Sequence, residues 1–166
     1  MSGEPLVEQV GEFWSCVSGS FYRAVNPAYQ DAALLGSRLA GRYSEPNQRT
    51  LYLSSSPEGV DAAMIAHAQG RVDELVLLKF HVEAHNIVDL RDPAVLLVAG
   101  VNLADAVAPW QDIVKNGGEP ASWKVRRRLE GLGANGLIDP SRKRPGRWHL
   151  TLFRWNSADA PRVALD

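Results

Sequence analysis

The sequence predicts a single domain of the α+β class. Its 166 residues are enough to enclose one hydrophobic core but too few for two complete domains. The predicted strands and helices interleave without a regular strand–helix–strand repeat, which argues against a doubly wound parallel sheet. No internal period indicates a repeat protein, and no dinucleotide-binding or P-loop glycine motif follows a predicted strand. We therefore expect one domain over residues 1–166, with a loosely ordered tail from residue 157.

The first third of the chain predicts a helix followed by a strand. Apolar residues between Leu6 and Val17 are spaced as in a short amphipathic helix. The segment Phe21–Val25 predicts a strand that the following Asn-Pro pair ends. Residues 26–48 predict mainly loop, with a turn of helix at Ala32–Leu35. This region is therefore expected to give one strand to the sheet.

The middle of the chain predicts the centre of the fold. Leu51–Ser54 predicts a strand, and Ser56 with Pro57 predicts the N-cap and first position of a helix that ends near Gln69. The apolar run Leu75–Val82 is typical of a central strand that is buried on both faces. A second short strand is predicted at Ile87–Leu90.

The last part predicts three helical regions and two strands. Asp92-Pro93 begins a helix that runs to Val98, and helical turns interrupted by Pro109 follow through Ile113. Ser122 is expected to cap a basic amphipathic helix. The two predicted strands are Gly136–Ile138 and Trp148–Trp155.

Composition and charge argue against several classes of protein. Lysine and arginine total 18 and aspartate and glutamate 19, so the net charge of −1 gives no support for nucleic acid or acidic lipid as a direct partner. Cys16 is the only cysteine, so no intrachain disulfide can form, and His81 and His85 lack the spacing of a metal motif. The N-terminus does not resemble a signal peptide, and no apolar run has the length of a membrane span. We expect a cytoplasmic protein with no metal and no membrane contact.

Two basic segments occur in the second half, at residues 124–128 and 142–147. The simplest interpretation is a solvated surface, because most clusters of charge serve that purpose. A role in contacting a phosphate or a partner is the alternative.

One stretch has features of a nucleotide-binding site. The strand that ends at Ser54 leads directly into a helix, whose first backbone N–H groups can bind an anion, and Arg42 and Tyr43 lie just upstream. Arg23 lies inside a predicted strand, where its charge must find either an anion or solvent. Taken alone, these residues favour an ordinary strand-to-helix turn and a surface arginine, and a nucleotide site is the alternative.

Several short motifs resemble those of the RES domain family. Phe21-Tyr22-Arg23, Ala40-Gly41-Arg42-Tyr43 and Tyr52-Leu53-Ser54 are similar to its first three motifs. Residues 133–141 then resemble the family's Gly-x-x-Gly-Leu-x-x-Pro-Ser motif, followed by a turn and an apolar strand. The similar segments occur in the family's order and span most of the chain.

This resemblance implies a mixed or antiparallel β core flanked by helices, like that of ADP-ribosyltransferases. It implies NAD⁺ as the substrate, cleaved by glycohydrolase, phosphorylase or ADP-ribosyltransferase activity, in a toxin that a small helix-turn-helix antitoxin protein neutralises. Neither the acceptor nor the oligomeric state follows from it, and a homo-oligomer stays open. The residues that it implies as ligand contacts are Arg23, Arg42, Tyr43, Tyr52, Ser54 and Ser141. Arg23 and Ser141 are also implied in catalysis.

The chain departs from the family at one position. The family usually carries a glutamate on the helix after Tyr-x-Ser, and Ala63 occupies that position here. At about 100° per residue, His67 shares the helix face of Ala63, whereas Asp61 does not. His67 is therefore the candidate catalytic substitute, with a packed structural histidine as the alternative. The departure leaves open a catalytically impaired RES-like domain that acts as a nucleotide-binding or protein-interaction module.

Overall fold

The computed structural model describes residues 3–58, 60, 75–141 and 145–166. Its α+β class agrees with the sequence prediction. The strands are β1 (Leu6–Val10), β2 (Trp14–Val25), β3 (Leu51–Ser54), β4 (Val76–Asp89), β5 (Gly136–Pro140), β6 (Trp148–Leu152) and β7 (Arg162–Leu165). The helices are a 3₁₀ helix (Pro27–Leu35), α1 (Pro93–Ala99), α2 (Leu103–Val107), α3 (Gln111–Lys115) and α4 (Ala121–Gly131).

The strands form one mixed sheet in the order β1-β2-β3-β6-β5-β4-β7. β4 and β5 are parallel, and the other neighbouring pairs are antiparallel. β2 also pairs along its length with β4. The strands β2, β3, β6, β5 and β4 therefore close into a circuit.

Two cores lie on the two faces of this sheet. The first core, on the inner face of the circuit, contains alternate residues of all five of its strands, including Phe21, Leu53, Phe80, Ile138 and Leu150. The second core, on the outer face, joins the sheet to α1, α2 and α4 and includes Tyr43, Val88, Val95, Leu129 and Leu137. Because side chains alternate along a strand, neighbouring residues of β3, β5 and β6 belong to different faces.

The predicted N-terminal helix is wrong. β1 and the start of β2 form an antiparallel hairpin instead, in which Val7 lies opposite Val17 and Gly11 adopts a positive φ of 78° at the turn. Leu6 is 75% exposed and Val10 52% exposed, so the helical spacing of apolar residues did not mark a buried face. β2 gains its pairing from β4, which is distant in sequence, and such pairing overrides a weak local pattern.

The two strands predicted at Leu75–Val82 and Ile87–Leu90 form one continuous strand, β4, of 14 residues. Its first part is buried on one face only, because Leu78, Phe80 and Val82 are buried while the residues between them are exposed. The prediction of burial on both faces is therefore wrong for this part of the strand. His81 and His85 lie on its exposed face.

The tail is ordered rather than loose. β7 pairs antiparallel with β4, and its Val163 joins the first core. The side chain of Asn156 donates a hydrogen bond to the carbonyl of Val163 and accepts one from its N–H, at 2.8 Å each. These contacts fix the tail on the exposed edge of β4.

Several local predictions are confirmed. β3 has the predicted bounds, and residues 57, 58 and 60 are helical as the Ser-Pro signal predicts. Asp92 caps α1 by accepting a hydrogen bond from the N–H of Ala94 at 2.9 Å. The remainder of the helix predicted to reach Gln69 lies outside the described residues. Within the described part of the chain, no helix has both the length and the apolar character that a membrane crossing requires.

Candidate functional site

Three polar side chains form a row across β3, β6 and β5. Ser54 lies directly opposite His149, and His149 lies directly opposite Asp139. Residues opposite one another in a sheet project to the same face, which here is the outer face. Ser54 Oγ and His149 Nδ1 are 3.0 Å apart and share a hydrogen bond. We call Ser54, His149 and Asp139 the polar row.

Asp139 is a buried carboxylic acid, and it is 6% exposed. Its Oδ2 accepts a hydrogen bond of 2.7 Å from the hydroxyl of Tyr43, whereas Oδ1 has no hydrogen-bond partner among the described residues. Burial raises the pKa of Asp139, although His149, Tyr43 and Arg42 each oppose that shift. Asp139 therefore provides a buried, partly satisfied carboxyl group at one end of the row.

The imidazole of His149 is partly exposed, unlike the side chains on either side of it. Burial lowers the pKa of His149, and Arg42 lowers it further, while the carboxyl group of Asp139 acts in the opposite direction. Since the net shift is downward from 6.5, His149 is mainly neutral at pH 7. A neutral imidazole can accept a proton.

The loop that carries Arg42 and Tyr43 is held by Tyr52. The Tyr52 hydroxyl accepts a hydrogen bond of 3.0 Å from the N–H of Tyr43 and lies 2.8 Å from Ser44 Oγ. A β-carbon at Gly41 would lie 2.7 Å from the Tyr52 hydroxyl oxygen, so this close packing requires glycine. The Tyr52 hydroxyl thus serves to position the loop.

Arg42 lies between this loop and α2. Its Nη1 donates hydrogen bonds to the carbonyls of Ala106 (3.3 Å) and Ala108 (2.8 Å) at the C-terminal end of α2. The predicted cap residue Ser122 instead donates a hydrogen bond to the Arg42 carbonyl, and Pro120 occupies the N-cap of α4. The charge of Arg42 lowers the pKa values of Tyr43, Asp139 and His149, so its guanidinium group acts electrostatically on the polar row.

Arg126 is the second arginine that supports the loop. It is 3% exposed, and its Nη1 donates hydrogen bonds to the Tyr43 carbonyl (3.1 Å) and to Thr50 Oγ1. Its Nε donates to Glu130, one turn along α4. The sequence placed Arg126 in a solvated basic segment, and that interpretation is wrong for this residue. Arg127, the next residue, is exposed and pairs with Glu45 and Glu119, as a surface residue would.

Arg23 lies on the other face of the sheet. Its neighbours at alternate positions, Phe21 and Val25, belong to the first core. Its Nη1 donates a 3.2 Å hydrogen bond to the Ala33 carbonyl in the 3₁₀ helix, and burial lowers its pKa. The family resemblance implies one ligand site for Arg23 and Arg42, but Arg23 lies on the inner face of the sheet and Arg42 bonds α2 on the outer side.

Comparison with known proteins identifies the family. The family model named RES domain matches residues 20–165 of the sequence, which is most of the chain. The chain belongs to the RES domain family. Its fold is similar to that in the crystal structure of the M. tuberculosis MbcT–MbcA toxin–antitoxin complex, with a TM-score of 0.59 and 16% sequence identity over 90% of this chain and 81% of that one. No curated protein matches the sequence.

The RES domain brings together four of the residues that the resemblance implied. Arg42, Tyr43, Tyr52 and Ser54 all lie on the outer face around the polar row. Ser141 is 9% exposed and follows β5 directly, where its N–H donates to the Arg147 carbonyl at 2.9 Å. His67, like Ala63, lies outside the described residues.

Asp139 and His149 are the site residues that sequence reasoning missed. A signal for each was present, because Asp139 is the one acid in β5 and His149 alternates with the apolar residues Trp148, Leu150 and Leu152 in β6. That signal gives the face of each residue but not its neighbour across the sheet. The register that puts His149 between Ser54 and Asp139 comes from pairing of segments distant in sequence.

Two surface cavities of this RES domain, of about 500 and 540 Å³, lie elsewhere. Both are lined by Glu83 of β4 and Arg162 of β7, and neither is lined by a member of the polar row. Within the described residues, no cluster of three histidine, cysteine or acidic side chains could hold a metal ion. The polar row, rather than a cavity, therefore defines the candidate site.

Proposed function

We propose that this RES domain binds NAD⁺ and cleaves the bond between nicotinamide and ribose. The observation that carries the proposal is the convergence of Arg42, Tyr43 and Ser54 with a carboxyl group and a neutral histidine on one face of the sheet. Family membership supports the same conclusion, since these residues lie in the motifs through which the chain resembles RES domains. NAD⁺ is in this proposal a substrate rather than a resident cofactor.

Arg42 is suited to the pyrophosphate of NAD⁺. Both of its described hydrogen bonds use Nη1, so the N–H groups of Nε and Nη2 have no described partner. Two parallel N–H groups match two phosphate oxygens, which makes arginine the preferred residue for such contacts. Ser141 and Arg23 remain further proposed contacts. Arg23 would have to reach the ligand from the opposite face of the sheet.

The reaction creates positive charge on the ribose. As the C–N bond breaks, its electron pair leaves with nicotinamide, and the ribose carbon becomes electron-poor until an acceptor attacks. A carboxylate or an oriented dipole near that carbon lowers the barrier, because it stabilises charge that develops in the transition state. Water, phosphate or a protein side chain as the acceptor corresponds to a glycohydrolase, a phosphorylase or an ADP-ribosyltransferase.

A toxin role and an antitoxin partner complete the proposal. The solved structure with a similar fold is that of a toxin–antitoxin complex, which supports a protein antitoxin as the partner of this chain. We propose a helix-turn-helix antitoxin and a cytoplasmic location, as the family resemblance implies.

A catalytically impaired RES domain is the second candidate. The observation that favours it is Ala63, which stands where relatives usually carry a glutamate. Such a domain would bind NAD⁺ or a protein partner without turnover. Ala63→Glu tests this second candidate. A large gain in NAD⁺ cleavage would show that the parent domain is impaired because it lacks this carboxylate.

Nicotinamide release tests the proposal directly. Purified protein is incubated with NAD⁺, with and without phosphate, and nicotinamide and the ribose product are separated by chromatography. We expect nicotinamide release, with ADP-ribose or its 1″-phosphate identifying the acceptor. NAD⁺ binding without release would favour the impaired domain as a nucleotide-binding module. Neither binding nor release would contradict the proposed cleavage and leave only a protein-interaction module.

A further inference from the structure

His149 is the member of the polar row that a reactant can reach. Ser54 is 5% exposed and Asp139 6% exposed, whereas His149 is partly exposed between them. A group that exchanges a proton with a reactant must come within hydrogen-bond distance of it. His149, rather than Ser54 or Asp139, is therefore the group that can exchange a proton with a reactant.

The hydrogen bonds of the row leave one ring nitrogen of His149 available. Nδ1 is engaged by Ser54 Oγ at 3.0 Å, and Nε2 has no described hydrogen-bond partner. When Nδ1 carries the ring proton and donates the hydrogen bond to Ser54 Oγ, Nε2 holds a free lone pair. Ser54 thus holds the ring in one orientation, and the tautomer protonated at Nδ1 presents a basic Nε2.

The row is not arranged as a nucleophilic Ser-His-Asp triad. Tyr43, rather than His149, donates the hydrogen bond to Asp139 Oδ2. In a triad the histidine bonds the serine through one ring nitrogen and the acid through the other. Ser54 is also buried, so an attack by its hydroxyl on a substrate is disfavoured. The histidine itself is the chemically available group.

We propose that His149 is the general base of this RES domain and accepts the proton of the acceptor that attacks the ribose. This inference rests on the proposed cleavage of NAD⁺. The C–N bond breaks with its electron pair moving to nicotinamide, and an oxygen of water or phosphate forms the new bond to the ribose carbon. The proton of that oxygen passes to Nε2 of His149 and then to solvent.

The surroundings of His149 are consistent with that role. Asp139 on β5 stabilises the imidazolium that forms, while Arg42 on the neighbouring loop opposes it. Ser54 on β3 is a neutral partner. Burial keeps the pKa of His149 below its ordinary value, so the base is unprotonated at neutral pH. Turnover is therefore expected to fall as the pH falls through that pKa.

The test compares His149→Asn with His81→Asn. Asparagine at 149 can keep the hydrogen bond to Ser54 because its amide lies near the position of Nδ1, but it places nothing at Nε2. His81 is a matched control, since it is an exposed strand histidine on β4 far from the row in sequence and bonds Glu83. General bases contribute about 10²-fold or more, so we expect kcat to fall about 100-fold in His149→Asn with KM and the unfolding midpoint little changed. His81→Asn should keep the parent's kcat.

A second variant covers the case in which His149→Asn fails to fold. His149→Ala leaves space for added imidazole, which should restore part of the lost turnover if the role is proton transfer. If a folded His149 variant keeps the parent's kcat, or if imidazole does not restore the turnover lost in His149→Ala, this inference is wrong while the proposed function stands. If the parent releases no nicotinamide, the proposed function fails and this inference fails with it.

Discussion

The two faces of β3, β6 and β5 differ sharply, although the same strands build both. The inner face presents Leu53, Leu150 and Ile138, which are at most 2% exposed and belong to the first core. One residue along each strand, the outer face presents Ser54, His149 and Asp139. The difference shows that a short strand can contribute stability through one face and reactive groups through the other. Substitutions one position apart should therefore have unlike effects.

The largest effect is expected on the inner face. Leu150→Ala removes a fully buried side chain from the first core, and such changes cost about 2–5 kcal/mol of unfolding free energy. Chemical denaturation of the purified variant measures that loss. His149→Asn, one residue away, should shift the unfolding midpoint far less. Equal losses of stability would remove the distinction between the faces.

The next largest effect is expected on NAD⁺ binding when Arg42 is replaced. Arg42→Ala should weaken NAD⁺ binding about 10-fold to 100-fold, because hydrogen bonds to charged groups contribute about 1.5–3 kcal/mol. Arg127→Ala is the matched control, since Arg127 is exposed and pairs with surface acids. Calorimetric titration separates the two variants. Equal losses would contradict the placement of the pyrophosphate at Arg42, and so would an absence of binding by the parent.

A smaller and pH-dependent effect is expected at Asp139. Its folded-state pKa lies above the ordinary value of 3.8, so its contribution to stability is complete below that pH and is lost as the pH rises through the folded-state pKa. Asp139→Asn removes this dependence while an amide oxygen can still accept the Tyr43 hydrogen bond. The stability of the parent relative to the variant should therefore decline from pH 4 upward.

Unfolding midpoints of both proteins, measured across the range from pH 3 to pH 8, test this expectation. The comparison cancels the titrations of groups that do not interact with Asp139. His149 is not among them, because the Asp139 carboxyl group raises its pKa, and its own net lowered pKa acts on stability in the opposite direction. A stability difference that stays constant with pH, or that grows in favour of the parent, would show that burial does not govern this carboxyl group.

The sequence predicted those parts of the fold that depend on local signals. The Ser-Pro helix start, the Asp92 cap and β3 follow from neighbouring residues, and the structure agrees with them. The strand at Val163 was missed because it is stabilised by pairing with β4, which is distant in sequence. The hairpin at Leu6 was missed because its second strand, β2, gains most of its pairing from β4. Local patterns carry little information about such pairing.

The candidate site shows the same division. The short motifs around Arg42, Tyr43 and Ser54 were visible in the sequence, whereas the contributions of Arg126 and His149 were not. A basic helix predicts a solvated face, and only the packing of α4 against the loop at Tyr43 shows that Arg126 is buried. His149 gains its importance from its position opposite Ser54 and Asp139, and that register is set by the whole sheet.

An NMR titration with NAD⁺ shows whether the ligand binds on the outer face of β3, β6 and β5. The imidazole signals of His149 and the amide signal of Tyr43 report that face, and the methyl signals of Leu53 and Leu150 report the inner core. We predict saturable shifts of the His149 and Tyr43 signals with little change in the two leucines. Shifts confined to residues lining the β4–β7 cavities, such as Glu83 and Arg162, would contradict the account.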